Sequence, residues 1–432
     1  MQAVKTPLAV QQRLLEEILF ANQESCFGRK YRFNTIRTYQ EFTKQVPIQT
    51  YENFAPYIQR IAAGETEILT TESVIAFEMT GGSTQGAKLI PYTASGLAAF
   101  RQAIFPWMAD LLHYRPRILT GRTYWAISPV TRPFTTTSGG ISIGMSSDAA
   151  YFGEDVEAWI TKLLAVPAEM ALITDIAEWQ YRTALALLLA EDLSLISVWS
   201  PTFLLQLVEE IQQQSESLLR DLFAVSPVRA RLVESVFSHN FLGTEKIWAN
   251  LDTISCWTDA AAKAFIPQLQ AIFPHVWIQG KRLLATEGVV TLPMVNSASP
   301  VLAILSGFYE FVDDGGQVHL CDELEEGRVY RVVMTTHSGL YRYDLGDRIQ
   351  VKGWLAQTPQ LEFVGRAALV SDICGEKLTE EFVLQKLGQQ QGFAMLAASL
   401  EHQPHYTLFL DATKYDREAS VTLAQRLDKA LT

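Results

Sequence analysis

Three short segments, far apart in the chain, carry residue types that make chemical sense together. Thr80-Gly81-Gly82-Ser83-Thr84-Gln85-Gly86-Ala87-Lys88 has no large side chain before its terminal Lys except Gln85. Backbone N–H groups there can approach a polyphosphate closely, and the hydroxyls of Thr80, Ser83 and Thr84 add donors. Lys88 contributes a mobile positive charge. Ala285-Thr286-Glu287-Gly288 offers a carboxylate able to hold Mg²⁺. Tyr341-Arg342-Tyr343-Asp344-Leu345-Gly346-Asp347 offers another, able to accept two sugar hydroxyls. Together they describe a pocket for ATP and point to activation of a carboxylic acid as its adenylate.

The glycine-rich segment is not a Walker loop. From Gly81 its spacing puts the Lys one residue too late, and no Ser or Thr follows it. Leu89-Ile90-Pro91-Tyr92 comes next, a strand-like run blocked by proline where a Walker loop would open a helix. A P-loop NTPase is disfavoured. Taken alone, the segment reads equally well as an ordinary turn between strands.

The elements that must position these residues form a mixed pattern. Residues 1–65 read as helical, with turns near Gly28 and Pro47. Helices are expected at 95–112, 154–165, 175–191 and 200–223. Short strands are expected at Thr123–Ile127, Leu195–Trp199, His275–Gln279, Val289–Met294, Phe308–Val312 and Val329–Thr336. The expectation is a large α/β domain over residues 1–365, followed by a small α/β domain over 366–432. The latter should hold a helix over Thr379–Leu387, a strand over Tyr406–Asp411 and a last helix from Asp416. Leu423, Leu427 and Leu431 give that helix an apolar face as the chain stops, so the second domain reads as unfinished.

Bulk properties exclude several classes. The 432 residues, 48% of them apolar, can bury a large core. Thirty-five basic against 47 acidic residues give a net charge of −12, with no basic run, which argues against duplex nucleic acid. The first 25 residues read as an amphipathic helix rather than a secretory leader. The longest apolar run, Ala184 to Ala190, is too short to span a bilayer. Cysteines 26, 256, 321 and 374 have neither metal-ligand spacing nor disulfide density, so a reducing, cytoplasmic home is expected. His402-Gln403-Pro404-His405 reads as an exposed strand entry, since its proline spoils a shared helical face for the two imidazoles.

The ordered set of motifs resembles the adenylate-forming superfamily, and within it the Gretchen-Hagen auxin-responsive family of acyl acid–amido synthetases, most closely its bacterial branch. Val46-Pro47-Ile48 followed by Tyr51-Glu52, Tyr57-Ile58 and Gly64 resembles the family's N-terminal signature. Thr80–Lys88 resembles its phosphate loop, Leu284–Gly288 its second motif and Gly339–Asp347 its third. Phe363-Val364-Gly365-Arg366 and Gly375-Glu376-Lys377-Leu378 resemble the hinge and the first turn of its C-terminal domain.

The resemblance implies a large adenylate-forming domain with mixed β-sheets and a β-barrel-like part, using ATP and Mg²⁺. Glu287 would hold the metal and Asp347 the ribose, Arg366 would support the ribose or phosphates, and Lys377 would reach the phosphates from the second domain. The nucleotide would also contact Thr80, Gly81, Gly82, Ser83, Thr84, Gly86, Lys88, Ala285, Thr286 and Tyr341. Two departures stand out: Thr286 where Ser is common, and Asp344 where many relatives carry Arg.

The implied partners are a small-molecule carboxylic acid and an amine, an amino acid being the expected one, with neither nucleic acid nor membrane involved. Trp125, Ile127, Pro133, Phe134 and Ser138-Gly139-Gly140-Ile141 either line an acyl site or serve as core and loop. Two alternatives are an acid–CoA ligase of the same superfamily and a non-catalytic acyl- or nucleotide-binding relative.

Overall fold

The structure is a computed structural model. It describes residues 3–80, 88–126, 135–145, 151–153, 161–238, 241–366, 370–371, 378–379, 383, 386–387, 392–399 and 405–431. Two large sheets organise it. The parallel one runs Trp277–Gly280, Thr253–Cys256, Leu195–Ser197, Thr123–Trp125. Every residue of Thr253–Cys256 and Leu195–Ser197 is buried, as expected where helices cover both faces. Ile176–Leu189, Pro201–Gln213, Ser215–Val225 and Pro227–Val236 bury Leu187, Leu207, Leu222 and Val233 in the core shared with Ile196 and Ile254. Ala94–Tyr114 places Leu111 against Ile118 and Leu195.

The antiparallel sheet has seven strands in the order Thr291–Leu292, Val301–Leu302, Thr358–Arg366, Tyr343–Leu355, Val329–Thr335, Phe308–Val312, Val318–His319. Its first and last strands do not pair with one another among the described residues, so the sheet is open. The N-terminal helices Pro7–Ala21, Cys26–Lys30, Tyr39–Gln45 and Tyr51–Ala62 pack on it. Ile18, Phe27, Phe42 and Phe54 join Phe308, Val332 and Tyr341 in one core. Local signals start these helices: Ser25 Oγ accepts from the Gly28 N–H at 2.9 Å, and Thr38 and Glu41 form a capping box. Buried Gln11 ties the first helix down. Its Nε2 donates to the Ile304 and Gly307 carbonyls at 2.8 and 2.7 Å, and its Oε1 accepts from the Tyr309 N–H at 2.8 Å.

Several expected elements are recut. The run 200–223 is two helices broken at Gln214, whose backbone sits at φ −95°, ψ 15°. Val289–Met294 divides between a hairpin (Gly288–Val289 on Leu284–Ala285) and the large sheet (Thr291–Leu292 on Val301–Leu302). Leu89–Tyr92 is a strand despite Pro91, which lies on the edge of a four-stranded sheet where no ladder bond is lost. Thr379 pairs in a short strand, Leu378–Thr379 on Val370–Ser371, rather than opening a helix. His405–Leu410 pairs with Ala394–Ser399, and Arg417–Leu431 is the last helix. Residues 154–160, within an expected helix, lie outside the described residues, as do 402–404. Among the described residues no helix is long and apolar enough to cross a membrane.

Candidate active site

The glycine-rich segment is the connection of a hairpin. Ala76–Met79 pairs antiparallel with Leu89–Tyr92, and the Thr80 N–H donates to the Lys88 carbonyl at 3.0 Å, closing the neck. Gly81, Gly82, Ser83, Thr84 and Gly86 lie outside the described residues. Tyr51 braces the neck: its hydroxyl accepts from the Leu89 N–H at 2.9 Å, and Lys88 Nζ sits 5.2 Å from its ring centroid.

The acidic motif is a second, tighter hairpin, with Ala285 opposite Gly288 and Thr286-Glu287 at its tip. An added Cβ on Gly288 would stand 2.7 Å from Met334 Cε, the flexible end of a side chain on the large sheet, so the hairpin lies against that sheet. Tyr92, which ends the first hairpin, donates its hydroxyl to the Thr286 carbonyl at 2.6 Å. Tyr343 donates its hydroxyl to Glu287 Oε1 at 3.1 Å. Residues 88–92, 284–289 and 343–347 are thus stitched into one surface.

Tyr343 opens the strand that carries Asp347, and Asp347 stands opposite Arg366 on the neighbouring strand. Asp347 is 2% exposed, and its Oδ1 accepts from Arg366 Nε at 2.8 Å. Burial pushes this carboxyl up to about 6 from 3.8; the guanidinium opposes the rise, and the charges of Glu287 and Asp344 add to it. Its second oxygen accepts no hydrogen bond among the described residues. Such a carboxylate is an acceptor with one oxygen to spare, which fits a sugar diol.

Glu287 Oε2 likewise accepts no hydrogen bond among the described residues. No group of three or more metal-ligating side chains occurs among them either. One carboxylate with an unused oxygen fits Mg²⁺, which takes one or two carboxylates and fills its remaining positions with water and substrate phosphates.

Tyr341 is not brought to this surface. Its ring is 0% exposed, stacks on Phe27 at 4.8 Å, and donates its hydroxyl to the Leu69 carbonyl at 2.7 Å. It belongs to the core, and Tyr343 is the tyrosine of the motif that reaches the acidic turn. Arg342, between them at φ 48°, forks onto buried Glu310 (Nε–Oε2 2.9 Å, Nη2–Oε1 2.8 Å) and donates Nη1 to the Val46 carbonyl at 2.8 Å. Gln49 N–H donates to the Arg342 carbonyl, and Asp344 N–H to the Gln49 carbonyl. The N-terminal signature around Val46 is therefore a brace for the third motif. Asp344 pairs with Arg331 at 2.6 Å. Lys377 lies outside the described residues.

A cavity of about 710 Å³ opens beside Ala285 and Thr286. Its wall includes Trp107, Trp125, Phe152, Trp199 and Trp257, with Lys281 Nζ 4.4 Å from the Trp199 ring centroid. Trp125, for which sequence left an acyl-site or a core role open, is part of this wall. Ile127, Pro133 and Phe134 lie outside the described residues. Ser138–Ile141 is not part of the cavity wall: the Gly139 N–H donates to the Ala62 carbonyl at 2.8 Å, and a Cβ on Gly139 would lie 2.3 Å from the Gly64 nitrogen. Trp199, Trp257 and Lys281 were missed by sequence reading. Each follows the C-terminal end of a parallel strand, the edge where open α/β sheets bind ligands, and that placement was the available signal.

This architecture is that of the adenylate-forming superfamily. Residues 1–278 match the GH3 family N-terminal domain and residues 301–366 the GH3 family central domain. The chain belongs to the GH3 family, the Gretchen-Hagen family that its motifs resemble. It is similar to the indole-3-acetic acid-amido synthetase GH3.4 of Arabidopsis thaliana, 24% identical over 462 residues, 95% of this chain and 75% of that one. Its fold is similar to the AtGH3.15 acyl acid amido synthetase in complex with 2,4-DB (TM-score 0.85, 18% identity, 99% of this chain and 83% of that one). A more distant likeness is 2-hydroxyisobutyryl-CoA ligase in the postadenylation state (TM-score 0.63, 11% identity, 100% and 84%).

Proposed function

We propose that this protein is an acyl acid–amido synthetase: it joins a small carboxylic acid to AMP at the expense of ATP, then transfers the acyl group to an amine, in our reading the amino group of an amino acid. The observation that carries this is the hydrogen-bonded chain from the glycine-rich hairpin through Tyr92 and Thr286 to Glu287 and Tyr343, and so to the strand bearing Asp347, which is bonded to Arg366 on the next strand. The strand that follows the first motif thus shares a surface with the second and third, and that surface borders an aromatic cavity large enough for a small acid.

The roles divide as follows. Asp347 accepts the ribose hydroxyls and is held in place by Arg366. Thr80, the glycine-rich amides and Lys88 receive the phosphates, with Ala285 and Thr286 beside the nucleotide. Glu287 holds Mg²⁺, which supplies charge neutralisation at the phosphates. The acid's carboxylate forms a bond to the α-phosphorus as pyrophosphate leaves. The amine then bonds to the acyl carbon, AMP departs with the bridging oxygen, and the amine's proton is lost to solvent. Adenylation provides the leaving group, so no protein nucleophile is required. We assign Lys377, in a small domain over 366–432 beyond the main body 1–365, to the phosphates of the first step. The site of action is the cytoplasm.

The test is pyrophosphate exchange with ATP, Mg²⁺ and a panel of aryl and alkyl acids. Folded protein that supports no exchange with any acid overturns the reading. The likeness to a CoA ligase makes thioester formation the second reading. Feeding acid and ATP with either CoA or mixed amino acids separates the two by product mass.

A further inference from the structure

Beside the aromatic cavity runs a polar row that the reaction above does not use; Ser197 is its member in the cavity wall. Trp125, Ser197, Ser255 and Gln279 stand side by side on the four strands of the parallel sheet, in register. Ser197 is 3% exposed, Ser255 2% and Gln279 3%. Ser197 Oγ, Ser255 Oγ and Gln279 Nε2 have no hydrogen-bond partner among the described residues. The other end of the Gln279 amide is fixed, its Oε1 accepting from Trp107 Nε1 at 3.2 Å. Three adjacent polar groups are therefore buried at the ligand-binding edge of the sheet with donors unused. Leaving such a group unpaired is destabilising, and alanine would serve the packing better.

Two members of the row, Ser197 and Ser255, border usable space. A second cavity of about 40 Å³, large enough for a small substituent, is lined by both serines. It shares Trp107, Trp125 and Ser197 with the wall of the 710 Å³ cavity, whose other end reaches Ala285 and Thr286. An acid entering with its carboxylate toward the acidic turn would direct its far end between two tryptophans onto Ser197 and Ser255.

We infer that Ser197 and Ser255, with Gln279 packed next to them, form a distal specificity subsite, and that the acid is an aryl acid bearing a hydroxyl or similar small hydrogen-bonding group remote from its carboxylate. This rests on the acid-activating reading of the same cavity. A site whose buried donors are satisfied only by the substrate rejects an analogue lacking the matching group, whereas a purely apolar end would favour the methyl-bearing isostere.

The experiment compares 4-hydroxy with 4-methyl acids, as arylacetates and as 3-arylpropanoates, on the full chain. Binding is read by quenching of the cavity tryptophans in the absence of ATP, and turnover separately by pyrophosphate exchange. The expected result at one of the two lengths is a preference for the hydroxy acid of about 10- to 100-fold. That preference should shrink to within about 3-fold, or invert, in Ser197→Ala/Ser255→Ala, with Ser255→Ala intermediate. The ratio of two ligands on one preparation is insensitive to its folded fraction, and thermal unfolding confirms that the variants fold. Equal or better binding of the methyl acids, no binding of either series, or a hydroxyl preference that survives both substitutions overturns the subsite; the last outcome would mean that water satisfies these donors. Hydroxyl-selective binding without exchange would instead overturn the synthetase reading and leave the subsite standing.

Discussion

Asp347→Asn should make the protein more stable and a poorer nucleotide binder at once. The carboxyl ionises near 3.8 in an unfolded chain and at about 6 when folded, chiefly because it is buried. From pH 3.8 upward the unfolded chain releases this proton before the native one does. Native stability therefore falls through that window and levels off above about pH 6. The accumulated loss is roughly 3 kcal/mol, from about 1.4 kcal/mol for each pKa unit. Asparagine does not ionise and still offers Arg366 an acceptor; with the Arg366 side chain 48% exposed, little is lost from the weakened pair.

Urea unfolding at pH 8 should thus show the variant more stable by about 2–3 kcal/mol, with the gain gone by pH 4. Nucleotide affinity at pH 8 should fall by about 10- to 100-fold, the worth of a hydrogen bond to a charged group. In the parent protein, affinity should rise with pH as the carboxyl ionises near 6. A variant less stable than the parent at pH 8, or a gain that persists undiminished at pH 4, refutes the reasoning on burial. Unchanged nucleotide affinity refutes the ribose role.

Glu287→Gln should cut Mg²⁺-dependent pyrophosphate exchange by at least about 100-fold while acids still bind in the aromatic cavity; exchange within about 3-fold of the parent would remove Glu287 from the metal. Tyr343→Phe should lower exchange by about 10-fold and change unfolding free energy by less than about 1 kcal/mol; a large stability loss with normal exchange would make it a core residue only. Arg342→Met should be destabilising by about 3–5 kcal/mol, because it strands the Glu310 carboxylate in the core, and denaturant midpoints near the parent value would show that the brace is dispensable.

The elements that sequence made legible are those whose pattern is local. Ala94–Tyr114 shows through its helical period, and Phe308–Val312 was bounded to the residue. The hairpin role of Ala285–Gly288 was not visible, because one apolar run from Val289 onward serves two different sheets, and nothing local records which partner each half meets. The choice between Tyr341 and Tyr343 failed for a backbone reason. Alternation puts residues two apart on the same face of a strand, but Gly339 at φ 95° and Arg342 at φ 48° break the strand geometry before Tyr343. The polar row of Ser197, Ser255 and Gln279 is spread over more than 80 positions, and only strand pairing assembles it. Glu287, Asp347 and Arg366 could be singled out in sequence because their motif contexts are short and ordered.

The brace between Val46–Gln49 and Arg342–Asp344 has a consequence for how the chain matures on the ribosome. The partner strand for Gln49 is Tyr343, and Gln11 waits for Ile304, Gly307 and Tyr309. At ~5–20 residues per second, the roughly 290 residues between Gln49 and Tyr343 take about 15–60 s to synthesise. Throughout that interval Phe27, Phe42 and Phe54 have no sheet to cover them. The amino-terminal helices are therefore a natural client for chaperones, since a segment made early becomes native only once strands made much later are in place.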